Sequence, residues 1–253
     1  MGTTRRRVSS FEFPAFRENY ELWGAPLQFS DVAGWGGLGR RRERERGLWV
    51  VLLGPDGAGK SSVIAGIGDG VAAGLAGCDS YHLRALSLHG RQGAKENCDP
   101  HGQGARGALV TALKLAYLLV LNWLGYFTVV LPRVARGRLV LFDRYFPDCL
   151  VDQRRYRIPA SCRWLVELVA KWVPQPDLYL MLDAPANVLR LRKQEVAEME
   201  TDRQCREYRR LAAVIRNAAV VSVDQTGDAV LEKVVQIIIA AHLSLRRKVL
   251  RTA

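Results

Sequence analysis

From Leu48 onward the chain alternates short, uninterrupted apolar runs with longer stretches in which apolar residues recur every three or four positions. The first run, L-W-V-V-L-L at residues 48–53, has no polar position to place on a solvent face and ends at a glycine. That pattern predicts a strand buried on both sides, as in a parallel sheet. Runs of the same kind at 81–88, 139–142, 178–182 and 220–223 predict four more strands. Helical spacing predicts helices over 61–73, 109–134, 161–172, 185–198, 202–218 and 229–245. Strands alternating with helices in this way predict an α/β fold: a five-stranded parallel sheet flanked by helices on both faces.

Residues 1–47 lack this periodicity and end in G-L-G-R-R-R-E-R-E-R-G, a mixed-charge run between glycines, so they are expected to be an extension. Residues 48–245 then form one domain, and 246–253 a basic tail. The stretch 115–131 contains only Asn122 and Thr128 as clearly polar residues, at the lower edge of membrane-spanning length. Its place between two strands of one sheet predicts a core helix instead, with peripheral membrane contact as a further reading.

Composition narrows the partners. The formal charge is +12, and half the residues (49%) are apolar, which is enough for a full core and excludes wholesale disorder. The basic excess favours anionic partners. Nine arginines against six acids fall in the first 47 residues, so a net +9 belongs to the domain itself, and nucleic acid ranks below small phosphorylated ligands. Five dispersed cysteines with no C-x-x-C pair suggest neither a disulfide framework nor a zinc site and fit reduced thiols in a cytoplasmic protein.

Leu53 is followed by G-P-D-G-A-G-K-S-S, residues 54–62, a match to G-x-x-x-x-G-K-[ST] with a predicted strand before it and a predicted helix after it. The chemistry needs each residue type. Glycines let successive backbone N–H groups curl around phosphates, Lys60 neutralises the β and γ oxygens, and Ser61 ligates Mg²⁺ at the helix N-terminus. Gly54, Asp56, Gly57, Ala58, Gly59, Lys60, Ser61 and Ser62 are therefore the candidate ATP-binding residues. No N-K-x-D is present to read guanine, and no L-S-G-G-Q is present to complete a transporter ATPase. A further predicted strand ends at Asp143, Arg144 and Tyr145, which places an acid and a base at the strand edge where ligands bind in such sheets. There an aspartate can hold the metal shell and an arginine can clamp a phosphate.

The P-loop, the F-D-R-Y at 142–145 and the P-D-L-Y-L-M-L-D-A-P-A-N-V at 176–188 resemble the thymidylate kinase family of P-loop nucleoside monophosphate kinases. Within it the chain is most similar to the divergent thymidylate-kinase-like proteins of bacterial surface-polysaccharide loci. The resemblance spans about 48–245. It implies a P-loop kinase fold, ATP and Mg²⁺ as donor complex, and an arginine-bearing lid at about 194–202. By position in the family's motifs, Asp56 is the P-loop carboxylate that reaches the acceptor, Arg144 the acceptor-phosphate arginine, and Asp143 its metal-side neighbour. Arg192 opens the lid, with Arg190 and Lys193 as substitutes in an adjacent register, and Arg203 and Arg206 lie on the returning helix.

Several positions depart from the thymidylate kinase pattern. Asn122 stands where those kinases carry a helix arginine, Val151, Asp152 and Gln153 replace an A-Y-Q-like triplet, and R-E-P-G-G is missing after the second strand. D-P-H-G-Q-G (99–104) and C-L-V-D-Q-R-R-Y-R (149–157) resemble the divergent group's own signatures. His101, Arg144, Tyr145, Asp148, Asp152 and Arg155, with Arg154 and Tyr156, are then the candidate substrate-binding residues, suited to an anionic and sugar-bearing acceptor. Lys60, Asp143, Arg144 and Arg192 are the candidate catalytic residues, and Ser61 and Asp143 the candidate metal ligands. The expected activity is phosphoryl transfer from ATP to a nucleoside monophosphate or a related phosphorylated or sugar acceptor, in a monomer or homodimer. The competing reading is a nucleotide-binding scaffold of polysaccharide assembly without turnover.

Overall fold

The computed structural model describes residues 46–71, 75–86, 107–185, 188–189 and 198–252. Five strands, β1 (Leu48–Leu53), β2 (Cys78–His82), β3 (Leu139–Asp143), β4 (Leu178–Asp183) and β5 (Ala218–Ser222), form one sheet in the order β2-β3-β1-β4-β5. Every pairing is parallel. Helices α1 (Lys60–Val71), α2 (Ala108–Ala135), α3 (Asp148–Val151), α4 (Arg163–Trp172), α5 (Glu198–Val214) and α6 (Gly227–Thr252) surround it.

The central strand explains the two cores. Side chains alternate along a strand, so Leu48, Val50 and Leu52 enter one cluster with Val63 and Ile67 of α1 and Val234 and Ile238 of α6. Trp49, Val51 and Leu53 enter the other, with Leu115 and Val134 of α2 and Val166 and Val169 of α4. No β1 residue is more than 3% exposed. Each large side chain buried this way contributes roughly 1.5–3 kcal/mol, which is why β1 reads as a continuous apolar run.

The edges of the sheet differ from the sequence expectation. The second strand is Cys78–His82, not 81–88, and the fifth is Ala218–Ser222, not 220–223. An edge strand is paired on one side only, and β2 is half-buried to exposed throughout, so its apolar content does not mark it. Its register on β3 and the left-handed conformation of Leu83 (φ 62°) end it at His82. The helix expected at 202–218 runs four residues earlier, Glu198–Val214, so residues 198–202 of the expected lid are helical. Most of the helix expected at 185–198 lies outside the described residues.

Helix α2 is not a fully enclosed core helix. Thr111, Leu115, Leu121, Asn122 and Gly125 are buried, while Leu109, Leu113, Val120, Leu124 and Phe127 are exposed along the opposite side. By length and composition it could cross a membrane, with a third (33%) of its most apolar window buried. A π turn at Tyr126–Val130 precedes Pro132. Proline lacks the N–H for the carbonyl four residues back and clashes with it, and the wider turn accommodates both. Thr128 donates its hydroxyl hydrogen to the Leu124 carbonyl (2.6 Å) inside the same distortion.

Candidate active site

The sheet order places β1 between β3 and β4, so the loops leaving the C-terminal ends of β1 and β3 open side by side. Leu52 is in register with Asp143, and the Arg144 N–H donates to the Leu52 carbonyl at 3.0 Å. The loop after β1 and the D-R pair after β3 are thereby held against each other by backbone bonds.

The first loop residue has to be glycine. At Gly54 (φ 151°) a Cβ would stand 2.6 Å from the Leu182 carbonyl oxygen of β4. Gly59 (φ 82°) is the opposite case, because a Cβ there would meet nothing within 4 Å. The loop therefore encloses an open concavity at the N-terminus of α1, where unpaired backbone N–H groups favour anions. Lys60, the first residue of α1, folds back into this loop and donates to the carbonyls of Gly54 and Pro55, both at 2.8 Å. It is 7% exposed. Burial, followed by the positive field of Arg144, depresses its ammonium from 10.5 to about 8, against the pull of Asp56 and Asp143. A cation held below its ordinary range at the N-terminus of α1 is suited to receive negative charge.

Ser61 and Asp143 meet across the two loops, with the hydroxyl donating to Asp143 Oδ2 at 3.4 Å. The other carboxylate oxygen, Oδ1, is buried and has no hydrogen-bond partner. Burial opposes ionisation of Asp143, but the His82 hydrogen bond and the charge of Lys60 outweigh it and hold the carboxyl below its usual range. Among the described residues no group of three or more His, Cys, Asp or Glu side chains is gathered. An ionised carboxylate with an orphaned oxygen beside a hydroxyl fits Mg²⁺, which takes one or two protein ligands and completes its shell with phosphate and water.

Arg144 is fixed on both sides. Its Nη1 donates to Asp148 Oδ2 at 2.8 Å, and its Nη2 to Asp56 Oδ1 of the P-loop. Arg155 donates to the other oxygen of Asp56, Oδ2, at 3.0 Å. Burial works against the ionised form of Asp56, but Arg144 and Arg155 outweigh it and keep the carboxyl low. Burial likewise opposes the guanidinium of Arg144, yet Asp148 and Asp56 hold it above its ordinary value. The P-loop carboxylate thus sets two guanidinium groups next to each other, a geometry suited to a phosphate dianion.

A cavity of about 480 Å³ adjoins this cluster through Tyr156, whose hydroxyl donates to Asp148, and neither Arg144 nor Arg155 lines it. Its walls include Val110, Leu113 and Leu118 of α2, Phe146 and Tyr156, with Arg84 and Lys114 as cations. Asn122 also lines it, but its Nδ2 donates to the Leu118 carbonyl of its own helix at 2.8 Å.

The structure therefore brings Asp56, Lys60, Ser61, Asp143, Arg144 and Arg155 together. Three expected substrate contacts turn inward instead. Tyr145 is 1% exposed, donates to the Pro174 carbonyl (2.9 Å) and packs edge-on against Trp49, so it belongs to the core. Asp148 is completely enclosed. Asp152, 2% exposed, accepts from the Arg155 N–H (3.1 Å) and from Gln204, and so caps the 153–157 turn. Arg192, Arg190, Lys193, His101 and residues 194–197 lie outside the described residues. The sequence reading passes over His82 and Arg84, among others. His82 lies against Asp143 (Nδ1 to Oδ2, 3.4 Å), and Arg84 lines the cavity. Both follow from the strand-edge rule that singled out Asp143 once β2 is ended at His82.

No family model matches the chain. A thymidylate kinase from Xanthomonas oryzae pv. oryzae is 29% identical over 202 residues, covering 77% of this chain and 84% of that one. One from Xanthomonas euvesicatoria pv. vesicatoria is 28% identical over 204 residues, with the same coverage. Among solved structures, thymidylate kinase from Ehrlichia chaffeensis superposes with a TM-score of 0.50 over 76% of this chain and 98% of that one, at 14% identity, a likeness of fold. With the P-loop, the D-R pair and the five-stranded parallel sheet in place, the chain is similar to thymidylate kinases over about three quarters of its length and has the fold of a P-loop nucleoside monophosphate kinase.

Proposed function

We propose that this protein transfers the γ-phosphoryl group of ATP to a nucleoside monophosphate or a related phosphorylated or sugar acceptor held at Arg144 and Arg155. The observation that carries the reading is the meeting of two loops. Lys60 and Ser61 stand on one, Asp143 and Arg144 on the other, and Asp56 ties the donor loop to both acceptor-side arginines. Residues 48–245 would be the catalytic unit, with 1–47 outside it; residues 246–252, expected as a basic tail, continue helix α6.

In this mechanism residues 54–62 wrap the polyphosphate with backbone N–H groups, and Lys60 exchanges the carbonyls of Gly54 and Pro55 for phosphate oxygens. Ser61 and Asp143 would hold Mg²⁺, which supplies charge neutralisation at the β and γ oxygens. Arg144 and Arg155 orient the acceptor's phosphate for in-line approach. Arg192, by family resemblance, adds positive charge where the transferred group gains negative charge. Positioning and charge carry the rate, since phosphoryl transfer asks little covalent work of the protein.

The depressed Lys60 gives a pH signature. Below about pH 8 the buried ammonium is protonated and carries its full desolvation penalty. As the pH rises from about 8 toward 10.5 the folded chain loses a proton that the unfolded chain keeps, and the penalty is relieved. Polyphosphate binding pulls the pKa back up. Binding of metal-free ATP at about pH 9 is therefore expected to take up a proton, with affinity falling toward tenfold per pH unit above about 8. Calorimetry in buffers of different ionisation enthalpy reads the uptake, and an enthalpy independent of buffer contradicts it.

The activity itself is tested by a panel of nucleoside monophosphates, dTMP among them, and phosphorylated sugars, screened for acceptor-dependent ADP release. Stimulation by at least one acceptor is expected. Uniform, acceptor-independent ATP hydrolysis across the panel would overturn the proposal.

A further inference from the structure

Asp148 has no exposed surface, yet three side chains donate to it. Arg144 Nη1 and the Tyr156 hydroxyl share Oδ2, each at 2.8 Å, and the Tyr208 hydroxyl donates to Oδ1. Burial first, and the Asp148 charge second, push both phenols well above their usual range, so they stay protonated as donors at any working pH. Tyr208 belongs to α5, the helix that follows residues 190–197 in the chain and packs on β4. A continuous series of hydrogen bonds therefore runs from α5 through Tyr208, Asp148, Arg144 and Asp56 to Arg155.

The backbone of Arg144 depends on this series. Its φ of 69° is left-handed, a conformation that costs a residue with a Cβ on the order of 1–2 kcal/mol. The conformation persists because the residue is fixed at three points: the N–H on Leu52, and the two guanidinium ends on Asp148 and Asp56. Asp148 can hold its end only while its own carboxylate plane is fixed. Tyr156 shares an oxygen with the arginine and leaves the plane free to rotate about that contact, whereas Tyr208 fixes the other oxygen.

We propose that Tyr208 is a positioning residue for Arg144, acting through Asp148, so that α5 sets the aim of the acceptor-side guanidinium. The inference rests on the reading of Arg144 as an acceptor-binding group. Without the Tyr208 hydroxyl, Asp148 turns its orphaned oxygen toward the guanidinium, and the Nη2 contact with Asp56 is the one that gives way. The donor loop keeps Lys60 and Ser61, so ATP binding is spared.

With ATP as donor and dTMP as acceptor probe, Tyr208→Phe is expected to raise the acceptor KM about tenfold, the effect of losing one hydrogen bond to a charged group, while the ATP KM stays within about twofold. Tyr208→Phe added to Asp148→Asn is expected to do nothing beyond Asp148→Asn alone, since both act on one contact. Tyr179→Phe, which removes another buried hydroxyl, one that bonds Gln175 Oε1 at 3.1 Å, provides the structural comparison and should leave both KM values alone. Equal rises in both KM values, or additive effects of Tyr208→Phe and Asp148→Asn, would overturn the inference. A second readout needs no turnover. In the ligand-free protein the Arg144 guanidinium hydrogens should be protected in ¹⁵N NMR and lose that protection in Tyr208→Phe. If no acceptor is phosphorylated by the wild type, the functional reading fails by itself, and unchanged protection in Tyr208→Phe still overturns the positioning role.

Discussion

Replacement of Lys60 by alanine is expected to lower acceptor-dependent transfer by at least about a thousandfold while leaving the fold intact. The rate loss follows from removing the only cation within the P-loop itself, at the point where negative charge accumulates on the β and γ oxygens. The intact fold follows from the ligand-free geometry. A shift from 10.5 to about 8 means that the folded chain holds this ammonium at a cost of about 3 kcal/mol relative to water. Alanine removes that cost together with the two hydrogen bonds to Gly54 and Pro55. The two effects oppose each other, so thermal melting should move by only a few degrees in either direction. A variant that melts like the wild type and still transfers phosphate at a comparable rate would remove the P-loop from the mechanism.

Replacement of Arg144 by alanine is expected to damage both stability and function. Asp148, fully enclosed, would keep its two tyrosine donors but lose its counter-charge, and a buried charge left unpaired costs roughly 3–5 kcal/mol. In a domain of this size that lowers the melting temperature by roughly 10 °C. Transfer should fall by a hundredfold or more through loss of the acceptor guanidinium. Arg144→Lys separates the two effects. It restores a charge near Asp148 and part of the stability, but an ammonium cannot reach both Asp148 and Asp56, so acceptor KM should stay high. Thermal melts and steady-state kinetics on the two variants check this, and a wild-type acceptor KM in Arg144→Lys would exclude the two-carboxylate clamp.

The parts of this molecule that were legible in its sequence are those where one physical requirement dominates. β1 must be apolar on both faces and must end in a glycine that clears Leu182, and the sequence carries both marks. β2 was misplaced because an edge strand is released from that requirement, and the shift hid His82 and Arg84 inside a supposed strand instead of at its C-terminal edge. Tyr145 looked like a site residue because it adjoins Arg144, but the left-handed turn at Arg144 sends the next side chain into the aromatic cluster of Trp49 and Phe142. Tyr208 left no signal of its own. A tyrosine on the buried side of an amphipathic helix is ordinary core, and only the folded chain places Asp148 opposite its hydroxyl.

The most direct test of phosphoryl transfer follows the γ-phosphorus itself. With ATP labelled at that atom and the best acceptor from the screen, the label should leave ATP and appear on the acceptor mole for mole with ADP, and should do neither in Lys60→Ala. Label recovered only as inorganic phosphate, at the same rate with and without acceptor, would contradict phosphoryl transfer as the function of this site.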